Sequence, residues 1–463
     1  MFNFELTKLR LNKLTLLMTN LLKTLSFDTI KYKELLLSGN LYEFEERLHE
    51  FVMTEIYDKL AQELIDSVLS TPWFDTKMKR IASSTRLGKL QKREVSLQLR
   101  TGTYIKVETL YARVVPKGFE GSRYLSFRYW GVISHASPSY YSLISKFSVL
   151  CGSFSIVKDV VDGLQIGCNL DRIRSLSLSV AKKCLSNRVD CMLNEKDDLA
   201  GKRVVISTDG GRIRTREYRA VQNEKATHYK FETPWREPKL FVISIIDENG
   251  KINRKELPIY DATFTEESLF SLLGQYLKAL NINQVKEVQF IADGALWIWN
   301  NAKKFLMDLG VSEYKIVETL DYFHAVEHLK KLTDLLPNHK KDIKSGTPPD
   351  SLFQELKTLL WQGNVKEIIE KIEGQLKRIS KKIKTEISYF KKNSQRMEYP
   401  KFRENKWLSG SGIIESGVRR MINLRFKSPS CFWKIENLDG LIFLRCALLS
   451  GRWSNLINSI THC

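Results

Sequence analysis

The chain has 463 residues, of which 43% are hydrophobic and 11% are aromatic. That share of apolar side chains can build packed cores, which excludes a disordered chain, and the length predicts about three domains. Lysine and arginine number 73 against 53 aspartates and glutamates, which leaves a net charge of +20. Such an excess is unusual for a metabolic enzyme. It indicates a polyanionic partner, more often nucleic acid than an anionic membrane surface.

Cysteine usage and hydropathy indicate a soluble intracellular protein. The seven cysteines are an odd number without a C-x-x-C pair, so neither a disulfide framework nor a zinc ribbon is predicted. No run of about 20 apolar residues is present, so we expect no membrane span. The longest uncharged run, 129–145, contains a proline, a histidine and several serines.

The first 195 residues divide into three predicted regions. A mainly helical N-terminal region covers 1–90, in which 41–69 has apolar residues at helical spacing. A β-hairpin region covers 91–130, where apolar and polar residues alternate around a glycine. The region 131–195 is predicted to be helical. Its short helices with glycine-containing turns are typical of a helix-turn-helix DNA reader and equally of a small helical bundle.

From about residue 200 the pattern changes to short runs rich in valine and isoleucine that alternate with helical segments. Such runs are typical of buried strands, so we predict an α/β sheet with helices on its faces. The runs are KRVVISTDGG, KLFVISIIDENG, VQFIADGA and YKIVETLDYF. A lysine-rich helical segment at 350–392 follows the breaker SGTPPD, and the C-terminal segment is again helical.

Two aspartates follow predicted strands in the same way, Asp209 after VVIST and Asp293 after VQFIA, each followed by glycine. Ligands of open α/β sheets bind at the carboxyl ends of strands. If the two strands are parallel neighbours, both carboxylates project to one place, and a divalent cation would relieve their repulsion. The alternative is that Asp-Gly is simply a common turn after a strand.

A two-metal site needs a third carboxylate, and Glu415 has the best local context for it. It lies in SGSGIIESGVRR, where a serine can cap a helix and the glycines permit close approach. The alternative for Glu415 is a surface pair with Arg419, one helical turn later. Glu318 and Glu327 are competing candidates for the third ligand.

The segment LDYFHAVEHL places Asp321 and His324 where a strand gives way to a helix. His324 and His328 are four residues apart and share a helix face. A metal site would need a further ligand such as Glu327, and the order of zinc proteases is missing. The alternative is that His324 bonds a neighbour and that His328 is a solvated residue.

Basic residues surround both acidic segments, as a phosphodiester-binding site requires. The first set is Lys202, Arg203, Arg212, Arg214, Arg216 and Arg219. The second set is Arg419, Arg420, Arg425 and Lys427. Four tryptophans either stack on unpaired bases or lie in the core: Trp297, Trp299, Trp407 and Trp433.

Taken in order, these segments resemble the ISKra-type DDE transposases of bacterial insertion sequences and, more widely, the Mutator-like group. The matching pieces are ISTDGGRIRTRE, FIADGALWIWN, LDYFHAVEHL and the stretch 410–453. Relatives often carry a cysteine-rich element after the hairpin. The corresponding stretch here has no cysteine, so no zinc is predicted.

The resemblance implies a ribonuclease H-like catalytic core, a mixed sheet flanked by helices. Its first part would be 196–325, an all-helical insertion 326–408, and its C-terminal helices 409–463. It implies a catalytic and metal-binding triad of Asp209, Asp293 and Glu415 with two Mg²⁺ ions, for which Mn²⁺ may substitute. Asp321 and His324 would be an accessory pair. The expected DNA-contacting residues are Arg212, Arg214, Arg216, Trp297, Arg419, Arg420, Arg425 and Lys427.

The function implied is a DDE transposase that binds double-stranded terminal inverted repeats and target DNA as a homodimer or larger assembly. It would cut and join strands in the bacterial cytoplasm, near the nucleoid. One alternative is a domesticated or inactive relative that only binds DNA, and another is a different ribonuclease H-like nuclease. A zinc hydrolase centred on His324 and His328 is a weaker alternative.

Overall fold

The computed structural model describes residues 29–218, 231–256, 258–336, 351–374, 376, 379–428 and 431–461. The chain forms two compact units. The first comprises 1–184 together with 457–463, and the second comprises 185–456. The predicted boundary between the helical region and the α/β core was at 195/196, and the division between the units falls eleven residues earlier.

Four helices and a hairpin open the described part of the first unit. They are α1 (Thr29–Leu37), α2 (Leu41–Phe51), a π-helical turn (Val52–Tyr57), α3 (Asp58–Leu69), α4 (Pro72–Ser84), β1 (Gly88–Gln98) and β2 (Tyr104–Val114). Alternate hairpin residues such as Val95, Leu97 and Val107 are buried with Ile65 of α3 against them. The period of two seen in the sequence is therefore the buried face of the hairpin. The predictions for residues 1–28 lie outside the described residues.

Four further helices follow: α5 (Leu125–Tyr129), α6 (Pro138–Leu150), α7 (Phe154–Gly163) and α8 (Leu170–Leu185). Serine side chains cap the starts of α6 and α7, Ser137 on Tyr140 and Ser153 on Ile156. The hairpin turn touches the connection between α7 and α8 at Gly102, whose φ is +89°. A Cβ there would lie 2.3 Å from the carbonyl oxygen of Gly167, so both the backbone angle and the contact require glycine.

The second unit contains the sheet. Its first half comprises α9 (Arg188–Met192), β3 (Arg203–Gly210), β4 (Ile213–Arg214), β5 (Glu217–Tyr218), β6 (Phe231–Glu232), β7 (Trp235–Arg236), β8 (Lys239–Ile246), β9 (Ile259–Thr263), α10 (Glu266–Ala279), β10 (Glu287–Ala292), α11 (Leu296–Trp299), α12 (Ala302–Asp308) and β11 (Ile316–Leu320). Short 3₁₀ turns lie at Ile282–Gln284 and Glu313–Lys315.

Helices make up the second half, and the last of them belongs to the first unit from residue 457 onwards. They are α13 (Tyr322–Asp334), α14 (Ser351–Trp361), α15 (Val365–Gly374), α16 (Lys381–Asn393), α17 (Tyr399–Glu404), α18 (Gly412–Gly417), α19 (Leu424–Phe426), α20 (Ile435–Leu449) and α21 (Trp453–Thr461). A 3₁₀ turn at Ser394–Arg396 and a π-helical turn at Val418–Asn423 complete the described elements.

Five strands form a mixed sheet in the order β11-β10-β3-β8-β9. β10 runs parallel to both β3 and β11, whereas β8 is antiparallel to β3 and to β9. Helices α10, α18 and α20 pack on these strands. α18 comes so close that a Cβ on Gly417 would lie 2.7 Å from the Tyr260 ring. This mixed α/β arrangement is compatible with a ribonuclease H-like domain.

The four predicted strands are present as β3, β8, β10 and β11, and β10 is the parallel neighbour of β3, as the site prediction required. β9 was not predicted, because its five residues carry a polar Asp261 in the middle and so break the apolar run. The helical segment between β10 and β11 consists of two helices, α11 and α12. No helix in the described ranges is long and apolar enough to cross a membrane.

Asp261 is fully buried in β9 and is held by a network of hydrogen bonds. Arg188 donates to its two oxygens at 2.7 and 2.8 Å, and the Tyr276 hydroxyl donates at 2.9 Å. Burial alone would lower the pKa of Arg188, but the charges of Asp261 and Asp439 outweigh it and raise this pKa. Arg188 thus joins α9 to Asp261 at the sheet edge and to Asp439 of α20.

Asp261→Asn should destabilise the second unit, because it leaves the Arg188 charge buried without a full counter-charge. Removing one partner of a buried ion pair costs about 3–5 kcal/mol, and urea unfolding measures the loss. The control is Glu248→Gln, whose ion pair with Lys286 is exposed on both sides. It should change stability by less than about 0.5 kcal/mol. Equal effects of the two variants would contradict the importance of the buried pair.

Candidate active site

Three aspartates lie level with one another at the carboxyl ends of adjacent parallel strands. Ala292 pairs with Thr208 on one side and with Leu320 on the other. The next residue of each strand or its extension is Asp209, Asp293 or Asp321. Parallel strands present their carboxyl ends at one edge, so the register alone places the three residues in a row.

Asp209 and Asp293 are half-buried, and each accepts a hydrogen bond from a backbone N–H nearby in the chain. The Gly210 N–H donates to Asp209 Oδ1 at 2.6 Å, and the Ala295 N–H donates to Asp293 Oδ1 at 2.9 Å. The turn interpretation of Asp-Gly therefore suits Asp293, whereas Asp209 and Gly210 are the last two residues of β3 and still pair with β8. It does not account for the glycines, because neither Gly210 nor Gly294 has a positive φ.

Asp321 is fully buried and joins three parts of the unit. Its Oδ1 accepts the His324 N–H at 3.0 Å and so caps α13, and its Oδ2 accepts a short bond from the Ser411 N–H. Its own N–H donates to the Ala292 carbonyl at 2.8 Å. Because both carboxylate oxygens are engaged by backbone groups, Asp321 is a positioning residue that holds the loop before α18 against the sheet.

Glu415 lies in the first turn of α18 and is exposed. Ser411 is the residue before this helix, and its hydroxyl lies 3.5 Å from Glu415 Oε1. α18 packs on β3 and β8, beside the end of β3 that carries Asp209. Within the described ranges, no ion pair joins Glu415 to Arg419, so the surface-pair alternative is not realised.

The electrostatics show which predicted residues come together. Burial raises the pKa of Asp209, and the Gly210 N–H partly offsets this effect. The negative charges of Asp293 and Glu415 raise the pKa further, whereas His324 lowers it. Three segments that are distant from Asp209 in the sequence therefore act on its carboxylate. Its charged form is destabilised by surroundings that a cation would neutralise.

The acidic residues of the site differ in how well their arrangement and their chemistry suit a metal ion. Among the described residues, no three histidine, cysteine, aspartate or glutamate side chains form a group that could hold one. The chemistry of Asp209, Asp293 and Glu415 nevertheless suits Mg²⁺, which takes carboxylate oxygens and keeps several waters. Burial is the largest cause of the raised pKa of Asp209, and the like charges of Asp293 and Glu415, which such an ion would offset, add to it. The triad as a metal site remains a prediction.

His328 is not the solvated residue that one interpretation expected. Its Nδ1 lies 2.7 Å from Glu386 Oε2, and its ring stacks on Tyr389 at 3.8 Å. His324 lies 3.9 Å from Glu327, at the limit of an ion pair. The two histidines thus have different carboxylate partners, which gives no support to a shared zinc ion. Glu386 and Tyr389 were not found from the sequence, because they come from α16, about 60 residues further on.

The remaining competitor for the third ligand, Glu318, is engaged elsewhere. It forms a half-buried ion pair with Arg396 at 3.1 Å, on β11 and three residues before the level of the aspartates. Glu327 is exposed on α13 and faces His324. Neither of the two contributes to the pKa shift of Asp209 that the structure resolves. Of the three carboxylates considered, Glu415 is the one that acts on Asp209.

We call the exposed residues Arg212 and Arg214 of the first basic set, together with Lys427 of the second, the basic ribbon. Arg214 lies over the exposed Trp235 ring at 4.9 Å, with Lys427 over the same ring at 5.9 Å. Arg216 lies over the rings of Tyr218 and Phe231. Arg212 is exposed, and Arg219 lies outside the described residues. Trp235 was not singled out from the sequence, although the basic residue that follows it in TPWREPK was a usable signal.

Other members of the basic sets are structural. Arg425 is 1% exposed and its guanidinium lies over the rings of Phe426 and Trp433, so it is a core residue and its prediction as a DNA contact is wrong. Arg203 is buried against Trp407, and Lys202 pairs with Glu256. Arg419 and Arg420 are exposed, and Arg420 also donates to the Tyr260 hydroxyl at 3.2 Å.

Three of the four tryptophans belong to the core: Trp299, Trp407 and Trp433. Trp299 also fixes the turn of the site, because its indole N–H donates to the Asp293 carbonyl at 2.7 Å. Trp297 is half-buried between Phe270 and Lys239, so one part of its ring remains accessible for stacking.

A solved structure titled "Drosophila P element transposase strand transfer complex" has some similarity to this chain. The identity is 14%, the match covers 70% of this chain and 81% of that one, and the TM-score is 0.25. A TM-score this low does not establish a common fold. No family model and no curated protein matches the chain.

Asp209→Asn should stabilise the fold at pH 7.5 in the absence of divalent cations. A carboxylate whose pKa is raised on folding destabilises the folded state once it ionises, and the amide removes this charge. We expect a gain of about 1 kcal/mol in the free energy of unfolding. The gain should shrink as the pH falls through the raised pKa, because the wild-type carboxyl then takes up a proton.

The control for this variant is Asp308→Asn, which changes an exposed aspartate of α12. It should change the free energy of unfolding by less than about 0.5 kcal/mol, both at pH 7.5 and at the lower pH. A loss of stability in Asp209→Asn at pH 7.5, or a gain that does not depend on pH, would contradict the electrostatic description of the site.

Proposed function

We propose that this protein is a DDE transposase that cuts DNA at the ends of its element and joins them to target DNA. The observation that carries the proposal is the half-buried carboxylate of Asp209 on the central strand. It lies level with Asp293 at the carboxyl ends of two parallel strands, and the negative charges of Asp293 and Glu415 act on it. Like charges at the ends of parallel strands are typical of a site that works with a bound cation. The sequence resemblance supports the same function.

In this proposal Asp209, Asp293 and Glu415 would hold Mg²⁺, which would supply positive charge to the oxygens that are exchanged at phosphorus. First, water forms a bond to phosphorus at the element end, and the bond from phosphorus to the 3′-oxygen breaks. Second, the freed 3′-hydroxyl attacks a target phosphodiester and displaces its 3′-oxygen. Both steps are displacements at phosphorus, so the chain supplies no covalent nucleophile.

The other residues of the site position these groups. Asp321 binds the backbone of Ser411 and thereby fixes the start of α18, on which Glu415 lies. Trp299 holds the Asp293 carbonyl. Exposed Arg212, Arg214 and Lys427 supply positive charge beside Asp209, where the DNA backbone would pass. Arg214, Trp235 and Lys427 also line an open pocket of about 210 Å³.

A second candidate is a relative that binds DNA without cutting it. It is favoured by the finding that no three acidic or histidine ligands in the described part of the chain form a metal-binding group. The basic ribbon would serve this function equally well. The two candidates differ in one measurement, which is whether strand cleavage occurs with Mg²⁺ or Mn²⁺.

Strand cleavage and joining should depend on each predicted ligand. With duplexes of the terminal repeats that flank the coding sequence, Asp293→Asn should lower the cleavage rate by at least about 10³-fold. The double variant Asp209→Asn/Asp293→Asn should be no slower than either single variant, because residues that act as a unit have non-additive effects. The assay measures both nicked and joined strands.

Glu404→Gln, at the end of the short helix α17, is the matched control and should cleave at the wild-type rate. Inactive wild-type protein that still binds the repeats would favour the DNA-binding candidate. Faster cleavage of RNA–DNA hybrids than of repeat ends would instead indicate another ribonuclease H-like nuclease.

DNA affinity should depend on salt through the basic ribbon. Arg214→Ala should weaken binding of unrelated duplexes and repeat ends to the same extent, and it should lower the slope of log K against log salt by about one. Lys286→Ala, remote from the ribbon in sequence and paired with Glu248, should leave the slope unchanged. Titrations at several salt concentrations measure this slope, and an unchanged slope in Arg214→Ala would exclude the ribbon as a phosphate contact.

A further inference from the structure

The helical insertion brings a tyrosine to the acidic site. Tyr389 lies on α16, which packs against α13, the helix capped by Asp321. Its ring stacks on His328, with centroids 3.8 Å apart and an angle of 16° between the planes. His328 is fixed in turn by Glu386, one turn before Tyr389 on the same helix. The ring therefore has little freedom to move.

The opposite contact of Tyr389 is the backbone that follows Asp293. A Cβ on Gly294 would lie 2.1 Å from a carbon of the tyrosine ring and 2.8 Å from its hydroxyl oxygen. Gly294 does not have a positive φ, so its backbone conformation does not require glycine. The close approach of Tyr389 does require it. The glycine of the second Asp-Gly thus makes room for a residue almost one hundred positions later.

The hydroxyl of Tyr389 is buried and has no hydrogen-bond partner in the part of the chain that the structure describes. Burying a hydroxyl without a partner costs about 1–3 kcal/mol, and such groups concentrate where a ligand completes the bonding. Burial raises the pKa of Tyr389, and the charges of Asp293 and Asp321 raise it further. A phenol is neutral at pH 7 even without such a rise, and its hydroxyl can donate one hydrogen bond.

We propose that Tyr389 is a phosphate-contacting residue of the active site, whose hydroxyl donates a hydrogen bond to a non-bridging oxygen of the DNA phosphodiester beside Asp293. The ligand class follows from the charges. Carboxylates repel an anion, so a phosphate placed among them needs donors that carry no negative charge, and a protonated phenol is one. The inference rests on the proposed function, because it assigns the same site a phosphodiester. It also gives the insertion a direct role in the chemistry.

The test compares wild-type protein with Tyr389→Phe in two assays. Calorimetry with inorganic phosphate in the presence of Mg²⁺ should show about tenfold weaker binding to the variant, since one charge-assisted hydrogen bond is lost. Cleavage of repeat-end duplexes should show kcat lowered by about 10²-fold and KM little changed, as for other donors to a reacting oxyanion. The melting temperature should not fall, because the hydroxyl removed has no partner in the fold.

Two further variants control the comparison. Tyr314→Phe removes a hydroxyl from a tyrosine that is 83% exposed and should match wild type in every assay. Gly294→Ala displaces the Tyr389 ring without removing its hydroxyl. It should weaken phosphate binding, and the double variant Gly294→Ala/Tyr389→Phe should be no weaker than Gly294→Ala alone, because the two residues act through one contact.

The outcomes separate this inference from the proposed function. If Tyr389→Phe binds phosphate as tightly as wild type, or if wild type binds none, the inference is overturned whatever the cleavage assay gives. If wild type cleaves and Tyr389→Phe cleaves equally fast, the inference fails and the transposase function stands. If wild type does not cleave but phosphate binding depends on Tyr389, the anion contact stands and the proposed reaction fails.

Discussion

The buried carboxylate of Asp321 is the constraint on which the site depends. One side chain accepts hydrogen bonds from the backbone at the start of α13 and from the loop before α18, while its own amide is bonded to β10. Burying a carboxyl group costs free energy unless its oxygens accept hydrogen bonds inside the protein. The same bonds that satisfy Asp321 therefore fix the positions of two helices relative to the sheet. Without them, Glu415 would have no defined distance from Asp209.

The acidic residues of the sheet differ in their surroundings. Asp321 and Asp261 are buried acids that the fold satisfies fully, with backbone amides in one case and Arg188 in the other. Asp209 differs from Asp261 in the charges around it. Burial raises the pKa of both carboxyls, but Arg188 opposes this rise at Asp261, whereas the like charges of Asp293 and Glu415 add to it at Asp209. Carboxyl groups with such a raised pKa are typical of sites where a ligand supplies the favourable interaction that the fold lacks. The protein is less stable as a result.

Much of the sheet and the linear part of the site could be predicted from the sequence. Four strands are recognisable in the sequence as apolar runs. Because β3 and β10 are parallel neighbours, Asp209 and Asp293 lie at equivalent positions. β9 could not be found in this way, because the buried Asp261 makes its pattern polar while Arg188 compensates from another element. Tyr389 was equally hidden. Its relation to Asp293 depends on how α16 packs on α13, and spacing in the sequence carries no information on that packing.

Only part of the net charge of +20 can act on a polyanionic partner. Four arginines counted in that excess are buried: Arg203, Arg425, Arg445 and Arg452. They serve the fold, Arg203 on Trp407 and Arg452 in an ion pair with Asp197 at 2.8 Å. A buried, paired guanidinium neither attracts DNA from a distance nor releases counter-ions on binding. The charge available to a polyanion is therefore the exposed part, which includes Arg212, Arg214 and Lys427 of the ribbon. Local placement of a few cations, and not the total, is what can offset the repulsion between a phosphodiester and the carboxylates.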